Sequence, residues 1–400
     1  MHLQPLKPIE AATFRANPNY ELVLFDRLPP EQREMLGRLR NAPDFYGVLL
    51  ARGAPDLGIK SVCRETALLY LTLREPGPLP AYVRATLGER CNQEIAQLVL
   101  DGVLEIQRDG AFVTRADAYE AIYGTRPGVA EGGGAIARLS REALMYAQAL
   151  EISDSLRLSA RLYFYNRLPA GPEWHRRLPT PGAVAELLGV RAGGPAAEPL
   201  KRDWSPVALE PPLDGWLLWQ RRKRRPAAAE ERCTYKLYVS PGYEAVRDAF
   251  LATVDAATTL DVPRFKVGKD VYGLLRPDKI VVYFDRFEEL EEAAHRLRGR
   301  LEGCPAQGVP FTAELGGDGL LSWGTDPPRD QQALVWQERE SWRLWLTNRL
   351  ATALLAAKSA HARAVEPWQF AMERVRLEGV DTQTWTPAAS IWHGDRPEEE

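Results

Sequence analysis

The sequence predicts an α+β fold in three parts: a winged-helix-like module over residues 1–130, a helical connector over 131–230, and over 231–400 a mainly antiparallel sheet covered by helices. Two observations carry most of this. Residues 234–323 alternate strand-like and helix-like runs in a β-α-β-β-α-β-β order, which puts helices on one face of an antiparallel sheet. Residues 62–114 read as three helices followed by a hairpin, the outline of a winged helix. Gly132-Gly133-Gly134 then reads as a linker and sets a boundary near residue 130.

In chain order, residues 20–25 and 45–50 are strand-like and flank a helix that starts near Pro30. A helix over Val62–Leu73, a Pro-bounded helix over Ala81–Leu87 and a third over Gln93–Asp101 with Asn92 as N-cap come next. Val103–Ile106 and Ala111–Thr114 flank Asp109-Gly110, a dipeptide suited to the positive φ angles of a tight hairpin. The segment from Asn92 to Ile106 holds Glu94, Asp101 and Glu105 and neither Lys nor Arg, so it would repel a phosphate backbone. A packing module, or a wing whose exposed strand edge docks a peptide, fits better than a DNA reader.

Ser140 is placed to cap a helix through Leu144, Ala147 and Leu150, and Thr180-Pro181 opens another that stops at Gly189. Residues 191–212, rich in Gly, Ala and Pro, read as a surface loop, and Gly215–Gln220 as a strand closed by the basic run Arg221–Arg225. That run is either an exposed loop or a contact for an anion-rich partner. Ser240-Pro241 starts a helix with Tyr243, Val246, Phe250 and Val254 on one stripe; Asp285 and Glu288 supply a capping box for a second with Leu290, Leu297 and Leu301, ended by Gly303. Val309–Leu315 and Gly319–Trp323 complete the sheet. A tryptophan-bearing helix from Ser341 and another opened by Glu366-Pro367-Trp368 read as a closing layer, their aromatics as core and not as a binding box; the Pro397–Glu400 tail carries no ordering pattern.

At 400 residues and 45% hydrophobic content the chain can bury a sizeable core, and a net charge of −3 with a pI near 6.1 argues against a broad basic surface for nucleic acid. Cys63, Cys91, Cys233 and Cys304 lie apart with no CxxC pair, which suits a reducing cytosol and offers no zinc site. The start lacks a signal-peptide pattern and no uninterrupted apolar stretch is long enough for a membrane span, so a soluble, cytoplasmic protein is expected. His2, His175, His295, His361 and His393 stand outside the cationic strands, and there is no Walker GxxxxGK[ST] and no strand-linked GxGxxG; Gly316-Gly317-Asp318-Gly319 reads as a turn. No metal and no cofactor is implied.

What remains is cations. Strand alternation sends Tyr235, Leu237 and Val239 inward while Lys236 projects, and Phe265 and Val267 inward while Arg264 and Lys266 project. With Lys269, Arg276 and Lys279 nearby, one surface collects like charges, which repel unless an anion sits among them. Each run alone also reads as a solvated face. Such a cluster suits phosphate binding and, where one lysine gives up its proton, removal of a proton from carbon as phosphate leaves. A partly buried lysine beside other cations is the kind that does so, and Lys266 is that candidate; the cations around it would hold the phosphate.

The pieces Tyr235–Pro241, Phe265-Lys266-Val267-Gly268, Leu274–Lys279, Val309–Glu314 and Gly319–Gly324, in this order, resemble the HopA-type effector domain over roughly residues 230–385. That family is similar in turn to phosphothreonine lyases and to the lyase domains of lanthipeptide synthetases, and relatives occur in gene clusters for modified peptides beside phosphotransferase-like kinases. The resemblance implies Lys266 as base and Arg276 or Lys279 as the phosphate holder. It matches the lyases' acid, a histidine, to Lys236, and a second lyase arginine expected near Ser322-Trp323-Gly324 has no basic match before Arg329.

The expected function is therefore a lyase that eliminates phosphate from phosphoserine or phosphothreonine of a ribosomal precursor peptide, with catalytic residues Lys266 and Lys236 and phosphate-binding residues Arg264, Lys269, Arg276 and Lys279. The expected partners are the phosphorylated peptide and a separate kinase, with residues 60–115 binding the peptide's leader. The alternatives are a non-catalytic phosphopeptide- or kinase-binding subunit, or a host-directed phosphothreonine lyase effector.

Overall fold

The first strand, β1 (Phe14–Ala16), runs antiparallel to the wing of the amino-terminal module and closes it. In the computed structural model, residues 6–9, 11–53, 57–124, 133–211, 214–223, 234–327, 340–360 and 365–388 are described. After β1 come β2 (Tyr20–Leu24), α1 (Pro30–Met35), β3 (Phe45–Ala51) and β4 (Lys60–Cys63), an antiparallel β2-β3-β4 meander. Then α2 (Arg64–Thr72), α3 (Ala81–Leu87) and α4 (Cys91–Leu100) lead to β5 (Leu104–Arg108) and β6 (Ala111–Val113), followed by the short α5 (Tyr119–Tyr123). Three helices and a hairpin thus form as read, with Asp109 and Gly110 at φ 49° and 81°. The first helix starts later than its periodicity suggests, because Val62 is taken into β4 opposite Gly47, and the Cys63 sulfur caps it by accepting from the Thr66 amide. Asn92 is not a cap: α4 emerges from a 3₁₀ turn over 88–90, and the Asn92 Oδ1 accepts from the Ile9 amide at 3.3 Å.

The middle of the chain holds α6 (Ala135–Ala149), α7 (Ser155–Tyr163), α8 (Pro172–Arg177), α9 (Pro181–Leu187) and α10 (Ala197–Asp203). Thr180 caps α9, and Gly189 follows it at φ 68°. Ser140 lies inside α6, where its hydroxyl donates to the Ile136 carbonyl and accepts from the Phe311 amide. Residues 191–212 are not only a loop: α10 runs into β7 (Trp204–Val207), anchored by the fully buried Trp204. β8 (Trp216–Arg221) pairs with β7, and the start of the basic run serves the fold. Arg221 pairs with Asp261 at 2.9 Å and Arg222 donates to the Trp204 carbonyl at 2.8 Å; Lys223 is exposed, and Arg224 and Arg225 lie outside the described residues.

The main sheet continues with β9 (Tyr235–Val239), α11 (Val246–Thr259), β10 (Arg264–Gly268), α12 (Val271–Leu274), β11 (Ile280–Phe284), α13 (Phe287–Arg300), β12 (Ala313–Leu315) and β13 (Leu321–Thr325). Its order is β12-β13-β9-β11-β10-β8-β7, and every pairing is antiparallel, so the α+β architecture is the one the alternation predicts, widened by β7 and β8. One face carries Leu237, Val239, Phe265, Val267, Val282 and Phe284 against α11 and α13. The capping box at 285–288 does not form; Arg286 is the N-cap of α13 and makes no side-chain cap.

The last elements are α14 (Trp342–Lys358), capped by Ser341, α15 (Pro367–Leu377), with a capping box at Glu366, and the two-residue strands β14 (Val380–Asp381) and β15 (Thr386–Pro387). They close the amino-terminal half instead of the helix-covered face of the sheet. One apolar core joins Phe14, Ile95 and Ile122 to Leu144, Leu350 and Phe370. Gln93 Nε2 donates to the Leu377 carbonyl at 3.1 Å, and Arg374 pairs with Asp101 at 2.6 Å. A division near residue 130 therefore separates stretches of sequence that share a core.

Candidate functional site

The sheet's second face is organised by register. One row across it reads Leu218, Lys266, Val281, Tyr238 and Ser322, and the next reads Gln220, Arg264, Tyr283, Lys236 and Gly324. Residues directly opposite one another on neighbouring strands share a face, so Lys236, Arg264 and Lys266 stand together around Tyr283. The Arg264 guanidinium lies 4.4 Å from the Tyr283 ring centroid, the Lys236 ammonium 5.4 Å and the Lys266 ammonium 5.8 Å. Lys266 and Tyr283 lie on neighbouring strands, β10 and β11, and share this face. Burial pushes this phenol's pKa up, but Lys266, Lys236 and Arg264 outweigh it and leave it below its ordinary value.

Trp216 joins this row to Arg276: its ring centroid is 4.0 Å from the Lys266 ammonium and 4.8 Å from the Arg276 guanidinium. Arg276 donates from Nε and Nη2 to Asp278 at 2.8 and 2.9 Å, a forked pair, and the buried Arg343 of α14 donates to the same carboxylate at 2.9 Å. Arg343 also donates to the carbonyls of Pro310 and Tyr163, so all three of its nitrogens are satisfied. Burial would raise the Asp278 pKa; Arg276 and Arg343 overcome that and hold the carboxyl well below the usual range. Two arginines on one carboxylate leave one net positive charge facing the row. Arg167, whose guanidinium is disfavoured first by burial and then by Arg276, adds a cation nearby.

Lys236 is nearly buried and ion-paired with Asp326. Burial lowers its pKa, yet the Asp326 carboxylate more than reverses that, so the ammonium holds its proton more tightly than an ordinary lysine. Lys266 forms no ion pair among the described residues. Gly268, at the end of its strand, is required for close packing: a Cβ there would sit 2.3 Å from the Gly273 carbonyl carbon of α12. At the other end of the row a Cβ on Gly324 would sit 2.5 Å from Trp342, which brings α14 onto this face.

The structure thus brings Lys236, Lys266, Arg264 and Arg276 together. Two expected phosphate ligands are elsewhere engaged. Lys279 is fully buried, and its ammonium donates to the Pro241 carbonyl at 2.8 Å and to Gln307 Oε1, which leaves it no path to a solvent-borne phosphate. Lys269 donates to the Asp214 carbonyl at 3.1 Å. Tyr283, Trp216, Asp278, Arg343 and Asp326 escape the sequence reading. Alternation around Val281 could have found Tyr283, and a lone arginine on the apolar stripe Trp342-Leu346-Leu350 could have found Arg343; nothing local marks Asp326. Arg329 lies outside the described residues. Neither described histidine enters the site, and among the described residues no cluster of His, Cys, Asp and Glu could hold a metal.

Lys279 offers a test of this packing. Burial without a carboxylate partner pulls its pKa down to about 7. Between that value and the 10.5 of an exposed lysine, the unfolded chain binds a proton that the folded chain does not, so stability rises with pH by up to about 1 kcal/mol per unit. Urea unfolding between pH 7 and 10 should show this rise and lose it in Lys279→Met. An equal rise in that variant would place the titration elsewhere.

No protein-family model matches the chain, and no curated protein matches it. Among solved structures, it aligns with an effector protein from Pseudomonas syringae pv. tomato at 11% identity and a TM-score of 0.36, over 63% of this chain and 96% of that one. It aligns with the VirA (SpvC) phosphothreonine lyase effector of Chromobacterium violaceum at 16% identity and a TM-score of 0.24, over 36% and 77%. A further phosphothreonine lyase aligns at 12% identity and a TM-score of 0.27, over 53% and 95%. Likeness at this level fixes no activity. No helix among the described residues is long and apolar enough to cross a membrane.

Proposed function

We propose that the cationic face eliminates phosphate from phosphoserine or phosphothreonine in a precursor peptide, leaving dehydroalanine or dehydrobutyrine. The observation that carries this reading is the placement of the Lys266 ammonium 5.8 Å from the Tyr283 ring centroid on a face where Lys236 and Arg276 are already ion-paired. Lys266 takes the α-proton as general base, the electron pair forms the Cα–Cβ double bond, and the Cβ–O bond breaks. Arg276 and Arg264 hold the departing phosphate, whose charge they meet in the ground state and more strongly as it grows. Tyr283, with its lowered pKa, gives the leaving oxygen its proton; Lys236, with its raised pKa, supplies charge only. Lys266 then carries an extra proton and Tyr283 lacks one, and transfer between them restores both.

The test is loss of one phosphoric acid mass from a synthetic phosphothreonine peptide. Tyr283→Phe should slow that loss by about 10²-fold, while Lys236→His leaves it within a few-fold. Absence of any loss with wild type, even in the presence of a leader-bearing substrate and its kinase, overturns the reading. One observation favours a second reading, a silent subunit that only holds phosphopeptide or kinase: the position matched to the lyases' acid is occupied by an ion-paired lysine. Binding without elimination in the same assay would establish it. A host-directed effector uses the same face and is separated by whether the accepted phosphothreonine lies in a host protein or in a leader-bearing peptide.

For the amino-terminal module we propose leader binding along the wing. β6 is the outer strand of the β1-β5-β6 sheet, so one of its edges is unpaired within that sheet. Addition of an unmodified leader peptide should slow amide exchange over Ala111–Val113, and unchanged exchange there would refute the assignment. Deletion of residues 1–130 is unsuited to this question, because it would strip the shared core from α14 and α15.

A further inference from the structure

A cavity of about 580 Å³ lies away from the cationic face, between β4 and α4 of the amino-terminal module and α14 and α15. Its cationic lining is Lys60, Arg115, Arg349 and Arg374; its carboxylates are Asp101, Glu340 and Glu378. Those carboxylates are engaged. Asp101 and Glu378 take Arg374 at 2.6 and 3.4 Å, Glu378 takes Arg349 at 2.6 Å, and Glu340 accepts from Asn348 at 2.7 Å. The Arg374 side chain is only 7% exposed, yet its Nη1 is buried without a hydrogen-bond partner. A buried guanidinium nitrogen left in that state calls for an acceptor. Lys60 makes no ion pair among the described residues. Its pKa is lowered by burial, with Arg374 and Arg115 opposing the help it gets from Asp101. The rest of the wall is mixed: Gln97, Ser155 and Thr352 are polar, whereas Leu57, Leu100 and the buried Phe370 are apolar, and Ile59 and Leu156 are 41% and 72% exposed.

We propose that this cavity is a second ligand site, which takes an oxyanion, carboxylate or phosphate, carried on an apolar chain. The oxyanion meets Lys60 and Arg374 Nη1, and the chain lies along Leu57, Ile59 and Leu156. The volume is that of an ordinary small-molecule site. The proposal does not depend on the lyase reading, since none of these residues belongs to the cationic face.

Calorimetric titration of the full chain with hexanoate, hexyl phosphate and inorganic phosphate tests it. Saturable binding of hexanoate or hexyl phosphate is expected, and the tighter of the two identifies the head group. Lys60→Met should weaken the tighter probe by about 10-fold, the scale of one charge-assisted contact. Leu156→Asp, at an exposed position that folding does not depend on, should weaken it comparably by setting a carboxylate against the apolar chain. Lys266→Ala should leave it unchanged, whereas inorganic phosphate bound at the cationic face should respond to Lys266→Ala and not to Leu156→Asp. Failure of both tailed probes to bind, or binding indifferent to Lys60→Met and Leu156→Asp, overturns the proposal.

Discussion

Lys266→Ala should lower the rate of phosphate elimination by about 10²–10⁴-fold while leaving affinity for a phosphothreonine peptide within a few-fold. A base acts on the α-proton only as the bond breaks, so its removal is felt in the transition state. The surrounding cations persist: Arg264 still lies over Tyr283, and Arg276 is still fixed by Asp278. Arg276→Lys is the contrasting variant. It keeps one positive charge for Asp278 but loses the guanidinium fork, so peptide affinity and rate should fall together by roughly 10-fold. Equal loss of binding in both variants would mean that Lys266 only holds phosphate, and the silent-subunit reading would replace the lyase.

Asp278→Asn should destabilise the chain by about 3–5 kcal/mol, because it leaves the buried Arg343 and the largely buried Arg276 facing each other without a counter-charge. The midpoint of urea unfolding reads this directly. Adding Arg343→Met to Asp278→Asn should restore part of the loss, since the stranded charge goes with the arginine; no recovery would show that the cost comes from packing. The same carboxylate sets a pH dependence. Its folded pKa lies below its unfolded value, so its contribution is fully present above about pH 4 and is lost as pH falls toward the depressed folded value.

The period-two pattern of β9, β10 and β11 made the sheet legible, and with it the shared face of Lys236, Arg264 and Lys266, because alternation follows from backbone geometry alone. Asp109-Gly110 was legible for a similar reason: the turn needs two positive φ angles. Lys279 misled, since it lies on the same side of β11 as Val281 and Tyr283 but one residue before the strand, where the chain turns it under Pro241 and Gln307. Asp326 carried no local signal, and Arg343 only that of a lone arginine on an apolar stripe. Each reaches the site from another element, and only tertiary packing decides which strand or carboxylate it meets.

The bonds that tie α15 to α4 join residues 273 and 284 positions apart in the chain, Arg374 to Asp101 and Gln93 to Leu377. On a ribosome the amino-terminal module therefore emerges long before the surfaces that cover Ile95 and Ile122 have been made. The wing and its three helices must wait with apolar flanks open, a state that favours slow maturation and capture by chaperones. Arg343 reaches Asp278 from the same late helical layer. A chain released early, short of α14, would carry Lys266 and Arg276 but not the clamp that orders them, so truncated products of synthesis would be both sticky and without a finished site.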